Sequence, residues 1–253
     1  MKLQVALLPR LLRQPQSSVC LVIDALRASS SIATLFAQGA EEVIVAGSAT
    51  AARRIAVQEP GRYLLCGEVG GLPPRGFDYG NSPSEFAALD LRRRRIILST
   101  TNGTKALRRL SASPAVIVGA LLNAAAAVEA LLAEARSRDA DAALVCSGLE
   151  AGSAFSLEDA FVAGALVETA VAEARRHGSA LTLTDDALAA CRLYQSYRGD
   201  ALACFREAEH GRSLIGIGLA HDLQFCAQVD RYNVVPRLRR DPSGCLSLVV
   251  GKS

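Results

Sequence analysis

RRIILSTTNGTKALRRL, residues 94–110, sets a short β-branched run, Ile96-Ile97-Leu98, against a block of small polar residues and one glycine. The pattern turns helical from about Thr104 onward. An apolar run of this length, bounded by turn formers, reads as a buried strand. Hydroxyl side chains at the mouth of a helix read first as caps for its unpaired N–H groups, and Asn102-Gly103 suits a plain turn, since both residue types tolerate positive φ. The competing reading is an anion cradle: a helix N-terminus offers backbone N–H groups and partial positive charge, and a glycine there lets a phosphate come close. Thr100, Thr101 and Thr104 would add hydroxyl donors.

The alternation continues along the chain. Strand-like runs fall at 19–23, 43–46, 63–66, 96–99, 115–118, 142–146 and 246–250, and helical patterns at about 29–38, 49–58, 104–110, 123–135 and 157–175. A Gly- and Pro-rich connection covers 67–83, and the last third is mostly helical. Strands separated by helices imply βαβ units. The expected fold is α/β, a largely parallel or mixed sheet flanked by helices in α/β/α layers. It forms either a single unit over 1–253 or two intimately joined lobes with a boundary near 120–140. In such sheets ligands gather beyond the carboxyl ends of the strands.

Composition narrows the function classes. Half of the residues are hydrophobic and 21% are charged, as in ordinary soluble domains. A net charge of +3, and a basic cluster at 92–95 with no interleaved aromatics, argue against a nucleic-acid partner. Seven cysteines, widely spaced and without a Cys-x-x-Cys pair, fit free thiols in a reducing compartment. The N-terminal run MKLQVALLPRLLRQPQ is broken by Pro9, Arg10 and Arg13 and does not make a signal peptide. No run reaches the ~18 apolar residues of a membrane span. The expected location is the cytoplasm, with no membrane partner; a homo-oligomer is allowed.

Three strand ends share one design. VCLVIDALRASSS supplies Asp24, Arg27, Ser29 and Ser30; IILSTTNGTKAL supplies Thr100 to Thr104; ALVCSGLEAGSAFSLEDAF supplies Ser147, Glu150, Ser156, Glu158 and Asp159. Each has a plain reading as a capped helix start, with acids in the first turn favouring the dipole. Together they suggest more. Arg27 offers a planar fork for phosphate or sulfonate oxygens. Asp24, Glu68, Asp78, Glu158 and Asp159 would repel a bare anion but suit a bridging Mg²⁺. The residues thus point to metal-assisted phosphate chemistry on a small polyanion. No P-loop or Gly-x-Gly-x-x-Gly follows a strand. The three histidines do not cluster, and His177 and His210 fall in loop-like polar stretches.

The runs IDALRASSSIATLFAQGA, LCGEVGGLPPRGFDYGNSPSEF, STTNGTKAL and SGLEAGSAFSLEDAFVAGAL, in that order, resemble the 2-phosphosulfolactate phosphatases. SLIGIGLAHDLQFCAQVDRYNVVP is similar to that family's C-terminal segment, so the resemblance spans about 19–236. It implies a Mg²⁺-dependent acid phosphatase with an α/β fold particular to the family. The implied reaction converts 2-phospho-3-sulfolactate and water to 3-sulfolactate and phosphate, a step that serves coenzyme M synthesis in methanogens. One position departs: the family often reads Gly-Glu-Arg-Gly-Gly where this chain has Val69. Arg75 is the nearest residue able to replace the missing charge.

With the resemblance in hand, roles can be assigned as expectations. Asp24, Glu68 and Asp159 are the expected Mg²⁺ ligands. Asp24, Arg27, Glu68 and Asp78 are the expected catalytic group, with Asp78 or Glu68 protonating the leaving alkoxide. Ser29, Ser30, Arg75, Asn81, Ser82, Thr100, Thr101, Asn102, Gly103 and Thr104 are expected to bind substrate. Asp222, Cys226 and Asp230, at i, i+4 and i+8, read as one face of a helix that either faces solvent or looks into the pocket. Cys226 is not expected to be a nucleophile, because no cation but His221 is nearby in sequence. Two alternatives stay open: a phosphatase for another small phosphorylated acid, and a binding protein for an anionic metabolite without turnover.

Overall fold

The structure is a computed structural model and describes residues 1–242 and 244–251. The expected α/β architecture is present: one mixed sheet of ten strands flanked by helices. The strands are β1 (Lys2–Ala6), β2 (Ser18–Ile23), β3 (Glu42–Val45), β4 (Tyr63–Gly67), β5 (Arg95–Ser99), β6 (Val116–Val118), β7 (Asp141–Cys146), β8 (Thr182–Leu183), β9 (Arg237–Arg240) and β10 (Leu246–Val249). Their order across the sheet is β4-β5-β3-β10-β9-β6-β2-β7-β1-β8.

Two parallel blocks make up this sheet, β4-β5-β3 on one side and β6-β2-β7-β1-β8 on the other. The β9–β10 hairpin joins them, antiparallel to a neighbour on each side. The junction is narrow: β9 meets β6 at one residue pair, Ile117 with Arg237.

The helices are α1 (Ala28–Ala37), α2 (Ala49–Ala56), α3 (Pro83–Phe86), α4 (Gly103–Arg109), α5 (Ala124–Ser137), α6 (Leu157–Arg176), α7 (Asp185–Ser196), α8 (Ala201–Glu207), α9 (Glu209–Gly216) and α10 (Ala220–Cys226). Because successive side chains of a strand point to opposite faces, β2 feeds two cores. Val19, Leu21 and Ile23 pack with α5, α6 and α8, whereas Cys20 and Val22 pack with α1, α4 and Phe86. A strand covered on both faces reads as an unbroken apolar run, which is what VCLVI is. In the other block, Ile96 and Leu98 of β5 join the α1 and α4 side, and Ile97 packs with Ala52 of α2. Truncating a fully buried Leu21 or Ile97 to Ala is worth roughly 2–5 kcal/mol of stability.

Three strands escape the sequence reading. β1 lies between β7 and β8 and buries Leu3 and Val5. β8 is two residues long. β9 is Arg-Leu-Arg-Arg, a polar strand made by pairing with β10 rather than by its own pattern.

Candidate active site

The carboxyl ends of β2, β4, β5 and β7 open onto one cavity of about 370 Å³. Asp24, Arg27, Glu68, Asn81, Thr100, Thr101 and Asn102 line it. Leu26, Leu149, Leu214 and Ile217 form an apolar side, and Glu150, Glu209 and His210 complete the polar one.

Asp24 is the first residue beyond β2 and is buried. Its Oδ1 accepts the Ala28 N–H at 3.1 Å, at the start of α1, and the Gly103 N–H and Ser147 hydroxyl also reach the carboxylate. Burial, and then repulsion from Glu68, pushes Asp24 up to about 6. Glu68, just past β4, accepts the Thr101 N–H at 2.6 Å on Oε1 and the Gly71 N–H at 3.0 Å on Oε2. It therefore clamps the turn after β5 to the turn after β4.

These bonds answer the question raised by STTNGT. The amides at the mouth of α4 do meet anions, but the anions belong to the protein: Thr101 donates to Glu68 and Gly103 to Asp24. Thr100 and Thr104 form a reciprocal cap, Thr104 N–H on Thr100 Oγ1 at 3.1 Å and Thr100 N–H on Thr104 Oγ1 at 3.2 Å. Asn102 accepts the Ala151 N–H at 2.9 Å and fastens α4 to the turn after β7. Gly103 is not in a left-handed conformation; it is small because Asp24 packs against it.

The remaining expected residues divide by location. Ser29 and Ser30 are buried in the turn below Asp24, where Ser29 Oγ accepts the Asp24 N–H and Ser30 donates to the Ala25 carbonyl. Neither they, Gly103 nor Thr104 line the cavity. Asp159 lies behind Asp24, with Oδ1 accepting Ala25 N–H and Oδ2 accepting Ser147 Oγ–H and Gly148 N–H. Burial, then Asp24 and Glu158, drive Asp159 well above the usual carboxylate range. Asp78 and Arg75 are exposed and outside the cavity: Asp78 accepts the Leu65 N–H at 2.7 Å, and the Arg75 carbonyl accepts from Arg53. Arg75 therefore does not stand in for the charge missing at Val69, itself 65% exposed on the 69–72 turn. Ser82 caps α3, accepting the Glu85 N–H, and donates to Asp222.

The proposed helical face of Asp222, Cys226 and Asp230 does not form. α10 ends at Cys226, and Asp230, at positive φ, accepts the Ala125 N–H at 2.7 Å. Asp222 instead turns inward to Arg27. Cys226 is buried, and burial pushes its thiol up to about 12. His210, read from sequence as a loop residue, sits in the first turn of α9, and its ring bonds to the Leu26 carbonyl. Burial and then the Arg27 charge hold it below its ordinary value. Nothing local in EHGR signalled this; only the packing of α9 beside the 69–72 turn brings it in.

Among the described residues no three His, Cys, Asp or Glu side chains converge as a ready-made metal cage. The cavity does offer the carboxylates of Asp24 and Glu68 and the side-chain oxygen of Asn81, which is buried and has no hydrogen-bond partner among the described residues. Mg²⁺ is commonly held by one or two carboxylates together with substrate phosphate and water. The donor set fits an ion of that kind; Asp159, which does not line the cavity, fits a supporting place behind Asp24.

Comparison with known proteins places the chain in a family. The family model described as 2-phosphosulpholactate phosphatase matches residues 6–241. A protein of Synechococcus sp. (strain JA-2-3B'a(2-13)) is 42% identical over 218 residues, covering 85% of this chain and 86% of its own. A Thermosynechococcus vestitus protein is 38% identical, covering 87% and 89%, and one from Nostoc sp. (strain PCC 7120) is 36% identical, covering 93% and 95%. Each of the three bears the name "Probable 2-phosphosulfolactate phosphatase". With a model match across nearly the whole chain and relatives this similar over most of their length, the chain belongs to the 2-phosphosulpholactate phosphatase family.

Proposed function

We propose that this protein is a cytoplasmic, Mg²⁺-dependent phosphatase that hydrolyses 2-phospho-3-sulfolactate to 3-sulfolactate and phosphate. One observation carries the reading: Asp24, Arg27, Glu68 and Asn81, from three separate stretches of chain, meet in one cavity with two carboxylates and a guanidinium facing the same space. No helix among the described residues is long and apolar enough to cross a membrane.

Mg²⁺, held by Asp24 and Glu68 with the Asn81 oxygen beside them, would neutralise phosphoryl oxygens and make a bound water more acidic. The chain's own residues do the rest. Arg27 keeps three of its five N–H donors after its bonds to Asp222 and Gly71, and these can take phosphoryl oxygens as charge grows on them. Of the two acids expected to protonate the leaving oxygen, only Glu68 lines the cavity. His210 is the other proton carrier there, its ring fixed by the Leu26 carbonyl. Leu26, Leu149, Leu214 and Ile217 exclude water from one side and so strengthen each charge contact.

A second reading draws on the same wall. Arg27 is the one Lys or Arg among the lining residues, set against Asp24, Glu68, Glu150 and Glu209. That balance favours a phosphorylated acid with fewer anionic groups than the sulfonate. It also disfavours a metal-free anion-binding protein, since four carboxylates repel an anion. Phosphate release from racemic 2-phospho-3-sulfolactate, phospholactate and phosphoglycerate, each with Mg²⁺ and with EDTA, separates these. Mg²⁺-dependent release chiefly from the sulfonate supports the first reading. Release chiefly from another acid moves the substrate, and no release with tight metal-free anion binding removes the enzyme.

A further inference from the structure

Asp222 is fully buried, yet it sits in the first turn of a helix more than 190 residues away in sequence from the arginine it contacts. Its Oδ2 accepts from Arg27 Nη1 at 2.8 Å. Its Oδ1 accepts the hydroxyls of Ser82 at 2.7 Å and Ser84 at 2.6 Å. On the other side of the guanidinium, Nη2 donates to the Gly71 carbonyl at 2.7 Å. Two anchors at different nitrogens of a planar group fix both its position and its plane. Arg27 lines the cavity while Asp222 does not.

We propose that Asp222 is a positioning residue for the phosphatase reaction: with Gly71, Ser82 and Ser84 it fixes the plane of the Arg27 guanidinium so that the free N–H edge meets the phosphoryl group. The physical argument concerns orientation rather than attraction. A carboxylate behind the guanidinium lowers the net positive charge felt in the cavity, so it weakens the pull on an incoming anion. What it supplies is a donor fork already aimed, which needs no reorganisation as charge builds in the transition state. Ser82 and Ser84 fill the second oxygen and keep the carboxylate from rotating away. The kinetic consequences rest on the phosphatase reading; the geometric claim about Arg27 does not.

Asp222→Asn keeps the shape and removes the charge. The expected result is a fall in kcat of about 10- to 100-fold, with the inhibition constant of inorganic phosphate unchanged within about threefold, because ground-state attraction is not what is lost. In an Arg27→Lys background the same change should cost less than about threefold, since its effect passes through the guanidinium. A kcat for folded Asp222→Asn within twofold of the parent, or an undiminished loss in the Arg27→Lys background, overturns the proposal. Should Asp222→Asn not fold, the Ser82→Ala/Ser84→Ala pair removes the second-oxygen donors and is expected to lower kcat about 3- to 10-fold; no loss overturns it equally. If the parent protein hydrolyses no phosphomonoester, the phosphatase reading fails and the geometric claim is decided by NMR. The Arg27 Nη–H signals, held by Asp222 and Gly71, should be resolved and protected from exchange in the parent and averaged by rotation in Asp222→Asn; identical signals would overturn it.

Discussion

A methyl group on Gly103 would sit 2.7 Å from the Asp24 Oδ2 atom and 2.6 Å from the Ala28 side chain. The first turn of α4 and the end of β2 therefore touch through a residue that has no room for a side chain. Gly103→Ala must push either the helix or the Asp24 carboxylate aside. Overpacking of this kind costs about 1–3 kcal/mol, and a displaced carboxylate leaves the cavity with its geometry altered. We expect a loss of about 10- to 100-fold in kcat/KM for phosphate release. Gly216→Ala, which meets nothing within 4 Å, should be nearly silent. Comparable rates for the two variants would show that Asp24 tolerates the shift.

Glu68 is held by two backbone donors, Thr101 N–H and Gly71 N–H, from turns on different strands. Glu68→Gln puts an NH₂ group where one of these N–H groups must be accepted, so one bond is lost and two donors face each other. A stability loss of about 1–2 kcal/mol follows from one unsatisfied buried amide. The Mg²⁺ concentration for half-maximal rate should rise about tenfold or more, because a hard anionic oxygen is gone. Titrating the rate with Mg²⁺ beside thermal unfolding in EDTA checks both. A lowered midpoint with an unchanged Mg²⁺ requirement would make Glu68 a clamp only.

The contrast between these two acids and the rest of the site shows what the sequence could reveal. Asp24, Glu68 and Thr100–Asn102 line the cavity and stand out in the sequence because each directly follows an apolar strand run, β2 and β5 being covered on both faces and β4 being shorter and half-buried. Asp222 and His210 arrive on short helices whose approach depends on how α9 and α10 pack, and no local pattern encodes that. Asp78 and Arg75 fall outside the cavity for the opposite reason: their loop is polar enough to read as substrate-binding, but Asp78 turns back to the Leu65 amide of β4. At STTNGT, the amides expected to cradle a substrate anion carry the carboxylates that follow β2 and β4 instead. β9 shows the limit for the fold itself. Its arginines find partners only after folding, Arg237 on Glu134 and Arg239 on Glu42, so the strand is a product of tertiary pairing.

Thiol chemistry should play no part in turnover. Cys20, Cys66, Cys146, Cys204 and Cys226 are buried, and burial raises every one of them, Cys20 to about 11 and Cys204 and Cys226 to about 12. At pH 8 almost none of these groups is a thiolate, the reactive form. Iodoacetamide on the folded protein should label at most the half-buried Cys191 and Cys245 and leave the rate within twofold, whereas in denaturant all seven should react. Stoichiometric labelling of Cys226 together with loss of activity would revive a covalent thiol mechanism.

Glu158 gives the fold a pH dependence of definite sign. It is buried one residue from Asp159, its Oε2 has no hydrogen-bond partner among the described residues, and burial, with Asp24 and Glu209 adding repulsion, pushes it up to about 7 from an ordinary 4.5. Between those two values the folded protein holds a proton that the unfolded chain has released, so stability contributed through this group falls as pH rises through the window. The penalty is fully present above pH 7 and absent below 4.5. At about 1.4 kcal/mol per pH unit it amounts to something on the order of 3–4 kcal/mol. Glu158→Gln carries no charge at any pH. In EDTA it should unfold at a higher temperature than the parent at pH 8, with the gain shrinking at pH 6 and gone by pH 4.5. A gain that is the same at all three values would trace the effect to packing, and a loss at pH 8 would mean that the ionised carboxylate has a partner.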